Sequence, residues 1–191
     1  MGDLPTIALR PGMLDDEWLT VALETDPVVM AELGGPWSAD EARATHRRRI
    51  AGIANEGYWW FTVRPVGAEG SVGEAVGTIG AWTSEWEGKP ISETGWMTLP
   101  EHQGKGFASA ALAAILEREA AEHRWGDIHA FPGATNVPSN ALCRKFGFEL
   151  VGSGDADYAG RRFLVNHWVW RAPKASAEGE LNHPRARAAG R

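Results

Sequence analysis

Short alternating runs of apolar and polar residues, punctuated by Gly, Pro and Asp, divide this chain into strands and helices. Thr6 to Arg10 predicts a first strand, closed by Pro11-Gly12. Asp15-Asp16-Glu17 places carboxylates in the first turn of a helix that runs to about Glu24, and Asp26-Pro27 ends it. After the loop Gly34-Gly35-Pro36-Trp37, Ser38 and Glu41 have the spacing of a capping box and open a helix to about Asn55. Tyr58 to Val66, Glu74 to Trp86 and Ile91 to Leu99 predict three strands of an antiparallel meander, with Gly77 and Gly80 as points of bulge or close approach. A helix begins near Lys105 and is followed by a short strand, Asp127 to Phe131. Pro138 to Phe146 predicts a helix stopped by Gly147. Phe148 to about Ser153 and Arg162 to Arg171 are expected as two last strands around a Gly/Asp-rich loop. The order is β-α-α-β-β-β-α-β-α-β-β, an α+β class with a mixed sheet and one parallel pairing where a helix joins two strands.

At 191 residues this pattern predicts one domain, residues 1–171, followed by a polar tail, 172–191, expected to be poorly ordered. The apolar share of 43% and charged share of 23% are those of a soluble globular chain. The sequence has no apolar run long enough for a membrane span, and its start lacks the regions of a signal peptide. A single cysteine, Cys143, forms no internal disulfide and suits a reducing, cytoplasmic setting. A net charge of −6 argues against a nucleic-acid surface, so any anionic ligand must be held by local groups. The run His46-Arg47-Arg48-Arg49 on the second helix is read as a solvated face. No metal site is expected, and the oligomeric state is left as monomer or homodimer.

The chemistry concentrates at Glu93–Ala108, where a strand, a Pro-marked turn and a Gly-rich turn lead into a helix. Unpaired N–H groups at a helix start, with glycines that let backbone come close, suit a phosphate. A mononucleotide phosphate loop does not fit, because Gly104-Lys105 is followed by Gly106 and Leu99 stands five places before Gly104. A dinucleotide fingerprint lacks its third glycine, which is replaced by Ser109.

Gln103-x-x-Gly106-x-Ala108 instead resembles the acyl-coenzyme A site of the Gcn5-related N-acetyltransferase (GNAT) superfamily. A second segment, Asn136-Val-Pro-Ser139 through Lys145-Phe-Gly147-Phe148, is similar to that superfamily's N-x-x-S…K-x-G-F stretch. With the two N-terminal helices and the Gly-Gly-Pro-Trp-Ser loop, the chain looks most like the RimJ/RimL-type branch. The resemblance implies the GNAT fold, a mixed and mostly antiparallel sheet of about seven strands with four helices. It also implies acetyl-CoA as cosubstrate and N-acetyl transfer to a small amine or a peptide N-terminus. Backbone groups of Met97, Thr98 and Leu99 would hold the pantetheine arm as if it were an added strand. Backbone of Gly104, Lys105, Gly106, Phe107 and Ala108 would hold the pyrophosphate, with Gln103 opening the turn. Asn136 would bond the arm, with Ser139 and Asn140 nearby. Lys105 as a plain surface lysine and Asn136 as a turn residue are the alternatives.

Amide formation needs a neutral amine, and a lysine-like amine is mostly protonated near neutrality. Glu93 is the candidate base: alternation puts it on one face with Ile91, Gly95, Met97 and Leu99, and its distance from Gln103 is like that of the glutamate in histone-acetylating relatives. The alternative is a surface glutamate paired to a neighbouring strand, with Glu85 in reserve. Met97 N–H is the candidate oxyanion donor. Many relatives carry a Tyr acid where this chain has Cys143; Cys143 reads more readily as a small buried apolar residue than as an acid, and Ser139 or Tyr158 are the substitutes. Of ten tryptophans, Trp37, Trp59, Trp60, Trp82, Trp86 and Trp96 come from segments bordering the acceptor cleft in the resembling fold. Trp37, Trp82, Glu85 and Trp96 are taken as acceptor contacts, suiting an apolar or cationic amine. A non-catalytic acyl-CoA sensor or interaction module is the rival reading.

Overall fold

The computed structural model describes residues 4–158 and 160–173, without the side chain of Tyr158. Tyr158 as an acid, and the tail from residue 174, therefore fall outside the described residues. The elements are β1 Ile7–Pro11, α1 Glu17–Glu24, α2 Ala39–Asn55, β2 Trp59–Pro65, β3 Gly77–Trp86, β4 Lys89–Thr98, α3 Phe107–Glu122, β5 Ile128–Ala130, α4 Val137–Lys145, β6 Glu149–Tyr158 and β7 Arg161–Trp170. This is the α+β order read from the sequence.

Local chemistry accounts for the element ends. The capping box on α2 forms as spaced: Glu41 N–H donates to Ser38 Oγ at 3.3 Å, and Ser38 N–H donates to Glu41 Oε2 at 2.8 Å. The third helix starts at Phe107 rather than Lys105, because Gly106 takes a left-handed φ of 86° that excludes it from the helix. The expected loop after Ser153 is a correction. Strand β6 continues to Tyr158 and pairs with β7 down to Arg161. Gly154 fits closely under Trp86, since a side-chain carbon there would lie 3.3 Å from its ring. Gly77 and Gly80 are likewise close-approach points, where such a carbon would meet Met97 O and Trp59 O at 2.3 and 2.6 Å.

The seven strands make one sheet in the order β1-β2-β3-β4-β5-β7-β6, antiparallel except for β4 with β5. One face carries Phe61, Ile79, Ala81, Ile128 and Trp168 against Leu112 and Ile115 of α3 and Leu142 and Cys143 of α4. On the opposite face Leu19 and Leu23 of α1 pack with Ala75, Leu99 and Met97. Each fully buried Leu or Ile contributes about 1.5–3 kcal/mol. Strands β4 and β5 pair only at Ser92–Ile128 and Glu93–His129, then part. That divergence opens the middle of the sheet. Among the described residues no helix is long and apolar enough to cross a membrane.

Candidate active site

The gap between β4 and β5 leads to the start of α3. The first main-chain bond of that helix runs from Ala110 N–H to Gly106 O at 2.9 Å, so the N–H groups of residues 104–109 precede the intrahelical ladder. Gly104 and Gly106 both have positive φ, and around Gly104 a side-chain carbon would meet nothing within 4 Å. Gln103 Nε2 donates to Thr98 O at 3.1 Å, tying the turn to the end of β4. Lys105 is exposed.

Main-chain direction in β4 corrects one expectation. Leu99 N–H donates to Val76 O at 2.9 Å, so it faces β3. The β3–β4 register is unbroken, and hydrogen-bonding residues alternate along it. Met97 therefore also turns its N–H toward β3, while Trp96 and Thr98 turn theirs toward the open gap. The accepted bond from Gln103 at Thr98 O agrees. Met97 and Leu99 N–H are thus turned away from the gap, and Trp96 and Thr98 are the residues that present main-chain N–H groups to it.

Helix α4 sorts its candidates differently. Asn136 caps the helix, its Oδ1 accepting from Ser139 N–H at 3.1 Å, and both residues line the cleft. Asn140 is 3% exposed and is spent inside the protein. Its Nδ2 donates to Gly133 O and Asn136 O, and its Oδ1 accepts from Asn166 Nδ2 and Trp168 Nε1, all at 2.8–2.9 Å. It is a structural hub, not a cofactor contact. Cys143 is fully buried in the core, and burial pushes its thiol up to about 12. Sealed there, it cannot deliver a proton to a thiolate.

On the sheet face opposite α3, an open cleft of about 1990 Å³ runs from this turn past β4 to the ends of β3 and β6. Glu93 lies on its floor, directly across from Trp82 in the β3–β4 register. The Ser84 hydroxyl and the Trp82 side chain hydrogen-bond its carboxylate, yet burial dominates and raises its pKa. Trp60 packs on Trp82 with ring centroids 6.1 Å apart, and the Arg49 guanidinium lies 4.2 Å over Trp60 while pairing with the buried Glu24. Trp86 stacks on Phe131 at 4.6 Å. Trp37 is buried at the cleft edge, behind α1. Trp96 packs its ring against the α3 core, on the face opposite Glu93, and borders the cleft only where β4 and β5 part. Glu85 is exposed at the far end of β3 and alternates away from Trp82, reaching only the rim. Sequence reasoning missed Ser84, Arg49, Phe131, His129 and His167. Alternation from Trp82 could have found Ser84, but the others are brought in by pairing between distant strands.

A model of the acetyltransferase (GNAT) domain matches residues 6–149. The chain belongs to the GNAT acetyltransferase family. It is 37% identical over 65 residues to the uncharacterized N-acetyltransferase YnaD of Bacillus subtilis, a match spanning 34% of this chain and 38% of that protein. In fold it is similar to apo RimL, an alpha-N-acetyltransferase of a ribosomal protein, with TM-score 0.68, 19% identity, and 87% and 90% of the two chains covered. It is also similar to the Vibrio cholerae spermidine N-acetyltransferase in complex with CoA and spermine, with TM-score 0.67, 20% identity, and 86% and 95% covered. Cys143, at the position where the resembling pattern carries Tyr, is absorbed into the core of this GNAT chain.

Proposed function

We propose that this protein is an acetyl-CoA-dependent N-acetyltransferase in which a primary amine attacks the thioester directly, with both substrates bound. The observation that carries this reading is one continuous cleft with two unlike ends. One end offers the open edge of β4 and the free N–H groups before Ala110; the other has Glu93 on its floor. Acetyl-CoA supplies the thioester whose carbonyl the amine attacks. The turn Gly104–Ala108 holds the pyrophosphate at the positive end of α3. Trp96 and Thr98 main-chain groups and Asn136 hold the pantetheine arm, and a Trp96 or Thr98 N–H stabilises the developing oxyanion. Glu93 takes the ammonium proton, its raised pKa bringing it nearer the operating pH. Ser139, lining the cleft, is the candidate donor to the leaving thiolate; a thiol pKa of about 8.5 also lets it leave without help.

The acceptor end favours a cationic amine. Trp60, Trp82 and Trp86 line it, and Glu85, Glu87, Asp155 and Asp157 add carboxylates around its mouth. Spermidine and a protein N-terminus, named for the two structural relatives, are both amines of this kind. The test is thiol release from acetyl-CoA over a panel of polyamines, aminoglycosides and N-terminal peptides. Turnover with a cationic amine is expected. Tight CoA binding without turnover on any acceptor would overturn the enzyme reading and leave a CoA-responsive module.

A further inference from the structure

Two imidazoles touch behind the cleft wall. His129 Nδ1 and His167 Nε2 are 2.7 Å apart, with the rings stacked at 5.0 Å. His167 in turn lies 4.6 Å from the Phe131 ring and 5.4 Å from Trp86, both of which line the cleft. A bond this short between imidazoles needs one nitrogen donating and the other accepting, which leaves His129 Nε2 and His167 Nδ1 as the outer ends of a two-ring chain. The parallel β4–β5 pairing sets His129 directly beside Glu93. Paired residues on neighbouring strands project to the same face across a strand spacing of about 4.8 Å, so the two side chains leave the sheet as neighbours.

Resting on the reading of Glu93 as base, we propose that His129 and His167 are positioning residues that carry the proton from Glu93 out of the cleft. The balance of the reaction requires such an exit. An ammonium acceptor brings three protons on nitrogen; the amide keeps one, the CoA thiol takes one, and the third lands on Glu93. Glu93, half-buried on the cleft floor, must lose it before the next turnover. The proton passes to His129 Nε2, the Nδ1 proton moves to His167 Nε2, and His167 Nδ1 releases its own to solvent. Burial lowers the pKa of both rings, which favours their neutral forms. The charged groups around it are Glu93 on β4, Asp127 beside β5, Arg171 after β7 and Glu87 in the β3–β4 turn. Glu87 lies on the cleft rim, where it draws the proton outward.

The experiment uses the full chain with acetyl-CoA and whichever of spermidine, kanamycin or a Ser-initiated peptide turns over fastest. His129→Phe and His167→Phe are each expected to lower kcat about tenfold or more, with the KM for acetyl-CoA unchanged. Added 4-methylimidazole restores their kcat, whereas Glu93→Gln is impaired and not restored. Histidine variants with wild-type kcat, or a loss that imidazole cannot repair, overturn the relay while an impaired Glu93→Gln keeps the base. An unimpaired Glu93→Gln overturns both. A second measurement needs no acceptor and leaves the imidazoles intact: ¹⁵N-histidine titration of the CoA-bound protein. The His129–His167 midpoint shifts in Glu93→Gln if the groups are coupled, and an unchanged midpoint overturns the proposal.

Discussion

Glu93, half-buried on the cleft floor, and Asn140, buried in the core, show how differently two polar side chains can be used. Glu93 keeps a raised pKa because its hydrogen bonds from Ser84 and Trp82 do not offset burial. A carboxyl whose folded pKa exceeds its unfolded value costs stability once pH rises above the ordinary value near 4.5, and the full cost is reached above the folded pKa. Glu93→Gln is therefore expected to raise Tm at pH 8 while cutting kcat/KM by about tenfold or more, and the Tm gain should vanish toward pH 4. Thermal melts across that range check the sign. Asn140 is the opposite case, with every donor and acceptor matched inside the protein. Asn140→Ala strands the Trp168 and Asn166 donors and is expected to cost about 2–4 kcal/mol in urea unfolding. CoA affinity should hold in conditions where the variant is folded. The sequence showed Asn140 one place from a motif serine, which is why it read as a ligand contact. Its partners on β7 are separated from it by 26 and 28 positions, and no local pattern reveals them.

At the level of elements, what depends on neighbours in the chain was legible, and what depends on pairing was not. The α2 capping box and the Gly147 stop were legible because they are set by adjacent residues. The length of β6 was missed because its glycines signal a loop locally, yet Gly154 lies within the strand where Trp86 packs closely on it. The direction of β4's N–H groups was missed for a related reason. Alternation gives two faces and two edges, but only the bond to Val76 O says which edge Met97 faces. The turn before α3 lends itself to a clean test, because Gly104 has open space around it and a φ of 71° that Asp and Asn both tolerate. Gly104→Asp puts a negative charge among the free N–H groups and is expected to weaken CoA binding about tenfold or more. Gly104→Asn, of nearly the same size and conformation but uncharged, should stay within about threefold of wild type. Calorimetric titration of the two variants separates charge from shape; equal affinities would move the pyrophosphate elsewhere.

The whole molecule closes its cleft by joining parts far apart in sequence. Arg161, at the tip of the β6–β7 hairpin, donates from Nη1 to Gly34 O at 3.0 Å and to Gly35 O, in the loop between α1 and α2. Glu32, in the same loop, accepts from Thr135 Oγ1 at 2.5 Å, just before α4. The loop thus meets the hairpin on one side and the start of α4 on the other, across the rim of the cleft. Gly34 has a φ of 82°, and a side-chain carbon there would collide with Arg161 at 2.7 Å, so the clasp needs glycine at this point. Charge-assisted bonds of this kind are worth about 1.5–3 kcal/mol each when well formed, and here part of that strength is lost to solvent at the exposed tip. Arg161→Ala should therefore loosen the clasp without unfolding the domain. On the proposed reading the acceptor lies between loop and hairpin and is expected to lose about three- to tenfold in KM. On the same reading acetyl-CoA is held by β4 and the start of α3, and its KM is expected to stay near wild type. Steady-state kinetics with each substrate varied in turn would show the split. Amide exchange should rise in residues 30–36 and 154–165 together, because the clasp couples them. A parallel loss in both KM values would instead mean that Arg161 supports the entire fold and that the two ends of the cleft are not independently held.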